Sequence, residues 1–354
     1  MRAPSPMRAL VLDGPAPAEM GPLRVADLPP PAPGPGELRV YVAACAVCRT
    51  DLQICEGDLE AHRLPIVPGH QAVGRVESIG SGVTGWAIGD RAGIGWLASA
   101  CEHCPACLAG RENLCPEARF TGWDVDGGFA DQATVRADFA LRLPEEVGDS
   151  DSAMTGEADA AAAPLLCGGV IGYRALKMSA IRPGGRLGLF GFGASALQAI
   201  QVARHWGCEV YVVTRSAPER ERGLALGAVW AGGYDDPLPV ALDAAVTFAP
   251  VGDVVIAALK ALDAGGTVAI NAIHLDRIPE FDYQLLWRER GLRSVANYTR
   301  QDAREYLELA RTIPIRTTTE PHPLANGNLA LRRLKAGEVE GAAVLEMAAD
   351  RPRR

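Results

Sequence analysis

Four cysteines, Cys101, Cys104, Cys107 and Cys115, lie in the stretch CEHCPACLAGRENLC at gaps of two, two and seven residues. Zinc takes four thiolates in a tetrahedron, and one loop with this spacing can wrap one ion. A disulfide cluster is the alternative. The chain carries nine cysteines, an odd count, and its start, MRAPSPMRALVLDGPAP, has no apolar export run. A cytoplasmic address keeps thiols reduced, so metal binding is the expectation here. A closed Cys₄ set leaves no position for substrate, which makes the lobe a brace and puts the reaction elsewhere. His103, between the ligands, is read as solvent-facing.

Three more stretches carry side chains that could ligate or relay: CRTD at Cys48–Asp51, PGHQ at Pro68–Gln71 and LLCGGV at Leu166–Val170. Each alone is weak, since a lone Cys is commonly a small buried hydrophobe. A different chemistry is written in GLFGFGASA, which follows an apolar strand and opens a helix. Gly191 and Gly193 give a tight turn and a close approach to pyrophosphate. Ala194 and Ser195 begin the helix whose amides face it, and Ala196 is the third small position of the fingerprint. The next strand ends VYVVTRS. Many NAD sites place an acid there for the ribose hydroxyls. Thr214, Arg215 and Ser216 suit a 2′-phosphate better, so NADP(H) is preferred, with NAD(H) possible. Arg220 is either a second cation or a solvated helix charge. Phe248, Ala249, Asn271, Ala272 and Ile273 end later strands, where nicotinamide is expected unless these are ordinary turns.

The elements that would position these groups are legible in outline. Residues 7–150 read as short strands (MRALVL, ELRVYVAAC, GHQAVGRVESIG, GDRAGIGWL) separated by Gly and Pro turns. PPPAPGPGE is a stiff connector. Beyond residue 150 strands and helices alternate: ALDAAVTFAP as a buried strand, VGDVVIAALKALDAGG as a helix, TVAINAI as a further strand. That alternation predicts a doubly wound parallel sheet in an α/β chain. The tail returns to short strands around one helix, NGNLALRRLKAG. Residues 1–157 and 310–354 are expected to form the β-rich domain and 158–309 the nucleotide domain, with the residues before Met7 a short leader. The 354 residues suffice for two cores, and the net charge of −8 shows no basic stripe. Nucleic-acid and membrane partners are not expected.

Taken together and in this order, CRTD, PGHQ, the Cys₄ lobe, LLCGGV and GFGASA resemble the zinc-dependent alcohol dehydrogenases of the medium-chain dehydrogenase/reductase family, from Met7 nearly to the end. RFTGWDVDGG and SVANYTR resemble a bacterial branch of it. The resemblance implies a GroES-like fold for the β-rich domain and a Rossmann fold for the other, with the active site in the cleft between them. It implies a catalytic zinc on Cys48, His70 and Cys167 with one position open, besides the zinc of the lobe, hence two Zn²⁺ per chain. Thr50 is then the first proton-relay group, Asp51 the partner that orients His70, and Arg49 a pyrophosphate contact. Lewis-acid polarisation of an alcohol or carbonyl oxygen and hydride exchange with nicotinamide are the implied chemistry.

Two positions near the metal set depart from the pattern. Gln53 stands where relatives carry a relay His, and Gln71 where they carry Glu after the zinc His. The relay then ends in water or in another base, His62 or His274 among the candidates. Gly341-Ala342 replaces a Gly-Arg that contacts phosphate in relatives. Trp96 and Trp123 match pocket positions in similar enzymes, or are core aromatics. Cys45, Cys55 and Cys208 have no motif role and are read as buried. The resemblance implies a homodimer or homotetramer, for which TVAINAI could lie at a sheet edge and pair across a two-fold axis. The rivals are a reductase of activated C=C bonds on the same scaffold and, more remotely, a non-enzymatic nucleotide-binding zinc protein.

Overall fold

The computed structural model describes residues 5–148, 155–313 and 315–347. It divides into two compact units: Met1–Cys167 with Thr299–Arg354, and Gly168–Tyr298. The sequence expectation set the divisions at 157/158 and 309/310. Helix Thr155–Ala162 and the short 3₁₀ turn Ala163–Leu166 pack on strands Glu37–Ala46 and Ala72–Ile79 of the first unit.

In the first unit, the order of neighbours is Thr319–Pro323, Ala342–Glu346, Glu37–Ala46, Ala72–Ile79, Arg91–Ile94 and Leu141–Arg142, with Gln132–Arg136 also paired to Glu37–Ala46. All pairs are antiparallel except Thr319–Pro323 with Ala342–Glu346. Strand Glu37–Ala46 alternates from Leu38 to Val42, with Leu38, Val40 and Val42 fully buried, the pattern a half-covered strand demands. Met7–Leu12 starts the first strand and pairs with Leu23–Leu28. Residues 1–4 of the expected leader lie outside the described residues.

A buried guanidinium ties the helix Thr155–Ala162 into this unit. Arg91 Nε donates to Asp159 Oδ1 at 2.8 Å, and its other nitrogens donate to the carbonyls of Pro144 at 2.8 Å, Val147 at 2.7 Å and Ala158 at 3.1 Å. Arg91 is 4% and Asp159 8% exposed. Arg91→Ala takes the guanidinium away from a buried carboxylate and from four carbonyls, Glu145 O at 3.4 Å being the fourth, of which Pro144 O keeps the Val147 amide. It is expected to lower unfolding free energy by about 3–5 kcal/mol, the range for breaking a buried pair. Denaturant unfolding measures this, and a loss under about 1 kcal/mol would show that the site rehydrates freely.

The second unit is one six-stranded sheet, ordered Trp230–Gly232, Glu209–Val213, Arg186–Phe190, Leu242–Thr247, Leu262–Ile270 and Gly291–Ser294. Every pair is parallel. This is the doubly wound order, with its reversal between Arg186–Phe190 and Leu242–Thr247. Phe190, Val213, Leu242, Val255, Leu259 and Val268 fill the core on one side of the sheet.

Two expectations are corrected here. The helix beginning at Gly252 stops at Lys260, and LDAGG belongs to strand Leu262–Ile270. Leu262 already pairs with Leu242, and a register shift before Ala244 accommodates the glycine pair. TVAINAI is not a sheet edge either. Gly291–Ser294 covers its outer side over Thr267–Ile270 and is itself the edge. Four residues with a single apolar side chain, GLRS, carry too little periodicity to be seen as a strand in sequence. Among the described residues no helix is long and apolar enough to cross a membrane.

Candidate metal centres and nucleotide site

Strand Glu37–Ala46 delivers Cys48 to the N-cap of helix Arg49–Glu56. CRTD is a capping box in which a thiol replaces the usual hydroxyl: Cys48 Sγ accepts from the Asp51 backbone, and Asp51 Oδ2 accepts from Cys48 N at 2.8 Å. The other carboxylate oxygen, Oδ1, accepts from Gly69 N at 3.2 Å and lies 2.9 Å from His70 Nδ1. Asp51 therefore fixes the helix start, the PGH turn and the imidazole at once, and it is completely buried. Sequence reasoning assigned it only the last of these. Gly69 adopts φ +98°, and a Cβ there would lie 2.4 Å from the Phe129 ring, so the turn that presents His70 admits no side chain.

Cys167 ends the turn Ala163–Leu166. The ligating atoms of Cys48, His70 and Cys167 lie within 4.8 Å of one another. With Nδ1 engaged by Asp51, Nε2 is the nitrogen left for a ligand. The Cys48 thiol sits well below its usual range, chiefly through its hydrogen bond with Cys167, against burial and with help from His70. The same bond and burial push Cys167 up. Burial opposes charge on His70, but Asp51 and then Cys48 outweigh it and hold the ring at about 10. A buried pocket that gathers a carboxylate and a thiolate is organised around positive charge. A divalent ion in place of the imidazole proton meets that need, and the Cys₂His donor set fits zinc with one position open.

Around this set, Thr50 is half-buried and Arg49 exposed. Gln71 is buried, and its Nε2 reaches Ala46 O at 3.5 Å. Gln53 Oε1 is buried with no hydrogen-bond partner in the structure. Trp96, 6% exposed, meets the His70 ring edge-on at 4.9 Å. It stacks with Phe120 at 5.0 Å and Trp123 at 5.9 Å. His62 stacks on Trp123 at 3.9 Å and places Nδ1 2.8 Å from Asp124 Oδ1. The aromatic column thus includes Phe120 and His62, which sequence reasoning did not assign to it. Their only signal was adjacency to Trp123 in RFTGW for the first, and a solitary histidine for the second.

The Cys₄ lobe is also assembled. The four sulfurs lie within 4.8 Å of one another, and Cys101 Sγ is 3.9 Å from Cys107 Sγ. A disulfide needs about 2.05 Å, while a zinc tetrahedron with Zn–S near 2.3 Å needs about 3.8 Å. Backbone amides of Cys101 and Glu117 donate to Cys115 Sγ, and that of Cys104 to Cys101 Sγ. Pro105 opens the single-turn helix Pro105–Leu108 behind its N-cap, Cys104. His103 is exposed, with Nδ1 2.7 Å from Cys101 O. All nine cysteines are free, and Cys45, Cys55 and Cys208 are buried.

In the second unit, Gly191 adopts φ +86°, and a Cβ there would lie 3.0 Å from Ala249 N. Gly193 is the N-cap of helix Ala194–His205 and has open space where a Cβ would project. Ala194 and Ser195 form the first turn, and Ala196 is fully buried. Thr214, Arg215 and Ser216 follow strand Glu209–Val213, with Thr214 buried and Arg215 exposed. Phe248 N donates to Phe190 O and Asn271 N to Thr247 O, which puts Phe248-Ala249 and Asn271-Ala272-Ile273 just past the carboxyl ends of their strands.

Residues 34–145 match the family described as the alcohol dehydrogenase GroES-like domain. The chain is 48% identical to the probable alcohol dehydrogenase AdhA of Mycobacterium tuberculosis (strain CDC 1551 / Oshkosh) over 96% of its length and 97% of the relative's. It is 33% identical to an alcohol dehydrogenase of Geobacillus stearothermophilus, over 92% and 96% of the two chains. Among solved structures, the cinnamyl alcohol dehydrogenase SbCAD4 of Sorghum bicolor superposes with a TM-score of 0.85 at 25% identity, covering 96% of this chain and 97% of that one.

Proposed function

The chain belongs to the alcohol dehydrogenases of the medium-chain dehydrogenase/reductase family, and on that premise we propose that it exchanges hydride between an alcohol and the corresponding aldehyde or ketone, with zinc on Cys48, His70 and Cys167 and NADP(H) as coenzyme. The observation that carries this reading is the convergence of two thiols and one imidazole within 4.8 Å beside a fully buried carboxylate. Bound at these sites, zinc supplies a Lewis acid for the substrate oxygen and the nicotinamide supplies or accepts the hydride.

The chain's own residues orient and relay. Asp51 Oδ1 holds His70 Nδ1, which leaves Nε2 facing the ligand position. Thr50 Oγ1 carries the substrate hydroxyl proton away. The next group of the relay in relatives is replaced by Gln53, whose amide does not titrate, so proton release beyond Thr50 passes to water. Trp96, Phe120 and Trp123 offer an apolar aromatic wall beside His70, which favours aromatic or bulky apolar substrates. Cys101, Cys104, Cys107 and Cys115 hold the second, structural zinc. Gly191, Gly193 and the first turn Ala194–Ala196 receive the pyrophosphate, with Arg49 as a further contact.

Arg215 supports NADP(H): it is exposed at the end of the second strand, where Thr214 and Ser216 flank it and the three residues that follow the strand, Thr214-Arg215-Ser216, include no acid. Turnover of a panel of aliphatic and aromatic aldehydes with NADPH and NADH tests the reading. Arg215→Ala is expected to lower kcat/KM for NADPH about tenfold or more and to leave NADH within about twofold. Equal losses for both coenzymes would remove the 2′-phosphate role from Arg215.

A further inference from the structure

The carboxylate of Glu219 stands at the end of the second strand, and we infer that it sets the balance between NADP(H) and NAD(H), opposing Arg215. The inference rests on the coenzyme reading above. In a Rossmann unit the adenosine ribose meets the end of the second strand, and a carboxylate there accepts from its hydroxyls. The strand here, Glu209–Val213, is followed by Thr214-Arg215-Ser216 and has no acid. Helix Ala217–Ala225 brings one back, because Glu219 Oε2 accepts from Thr214 Oγ1 at 2.5 Å.

The geometry is not that of an ordinary helix cap. Ser216-x-x-Glu219 has the spacing of a capping box, in which the Glu carboxylate returns to the N-cap amide. Only half of it forms: Glu219 N donates to Ser216 Oγ at 3.4 Å. Ser216 N instead donates to Thr214 Oγ1 at 3.4 Å, and the Glu219 carboxylate is diverted to that same hydroxyl. Arg220, the other cation at this strand end, is committed to backbone: Nη1 donates to Thr214 O at 2.9 Å and Arg215 O at 3.0 Å. Arg215, by contrast, is exposed, and Glu219 is the carboxylate held at the Thr214 hydroxyl. Both act on the Tyr234 phenol, which burial raises, Arg215 lowers and Glu219 raises further.

The consequences for a coenzyme are opposite in sign. Thr214 gives its proton to Glu219 and has none for a 2′-phosphate. The carboxylate repels a phosphate dianion and accepts from a free 2′-hydroxyl. Arg215 does the reverse. The wild-type site therefore takes both coenzymes, with a modest preference for the phosphorylated one, and Glu219 is what keeps the preference modest.

The test uses the zinc-loaded protein and two probes that differ only in the 2′-phosphate, ADP-ribose and 2′-phospho-ADP-ribose, with Kd measured by calorimetry. Neither probe carries nicotinamide, so turnover does not enter the readout. Glu219→Gln keeps the shape and an acceptor oxygen. It is expected to tighten 2′-phospho-ADP-ribose about tenfold and to weaken ADP-ribose severalfold, by removing one unit of negative charge from the strand end. If Glu219→Gln moves both probes equally, or neither, while Arg215→Ala still weakens only the phosphorylated one, the Glu219 role is wrong and the Arg215 reading survives. If Arg215→Ala weakens both equally, the NADP(H) reading itself fails.

Discussion

Cys48→Ala is expected to lower alcohol oxidation on the order of 10⁴-fold while leaving ADP-ribose affinity within about twofold, because the Lewis acid is lost and the nucleotide fold is not. If both sites hold zinc as proposed, zinc content should fall from two ions per chain to one. The physical ground is the dependence of the ligand set on Cys48. Its thiol is the one held well below the usual range, so it is the ready thiolate of the pair, and Cys167 is pushed the other way. Removing it leaves His70 with a carboxylate behind it and one reluctant thiol beside it. Asp51→Asn is the graded version. It keeps all three ligands but removes the charge behind His70, and a 10–100-fold loss in metal affinity is typical of such outer partners. Its effect here should lie at the upper end, since Asp51 also holds Cys48 N and Gly69 N. Metal analysis after dialysis against a mild chelator reads both variants. Undiminished turnover in Cys48→Ala, or two retained zinc ions, would take the reaction away from this site.

What the sequence revealed divides by range. The Cys₄ lobe and the glycine turn were readable because their chemistry is local: Cys101–Cys115 and Gly191–Ala196 are each one short stretch of sequence. The doubly wound sheet was readable from buried runs such as VYVV and DAAVT. The trio Cys48, His70 and Cys167 spans 120 residues, and only the resemblance joined it. What stayed hidden was relational. Nothing in CRTD says that one carboxylate would serve a helix cap, a glycine turn and an imidazole together. SAPE reads as a capping box, but whether Glu219 closes it or turns to Thr214 is decided by the strand end that Thr214 occupies. GLRS is a strand only because the neighbouring Thr267–Ile270 offers it a ladder.

Cys107→Ser should have the second large effect, on stability more than on the chemical step. The lobe has a small apolar base, Leu97, Ala100, Cys115 and Phe139, with Ala118 and Phe120 packed against it. Without an ion its thiols are poorly matched: the amide of Cys107 brings Cys104 down to about 7, while desolvation and the neighbouring thiols push Cys107 up to about 12. Four thiolates cannot share that space unless a cation is present, so metal release and loss of the loop's geometry belong to one event. That geometry is passed on. Arg300, at the start of helix Arg300–Thr312, takes Glu112 Oε1 with both its backbone N at 2.9 Å and its Nε at 3.2 Å. It also reaches Glu102 Oε1 at 3.0 Å and lies over the Phe139 ring at 4.4 Å. Losing the ion would loosen the segments that carry Glu102 and Glu112, and the first turn of that helix would then rely on its Thr299–Asp302 capping box alone. A loss of about 3 kcal/mol would lower Tm by roughly 6–12 °C for a unit of this size. The two variants should therefore separate cleanly: Cys48→Ala loses turnover and keeps its Tm within a few degrees, whereas Cys107→Ser loses Tm and, at low temperature, keeps the zinc proposed at Cys48. If Cys107→Ser melts and resists proteolysis like the wild type, the lobe is not a brace, and its four sulfurs need another purpose.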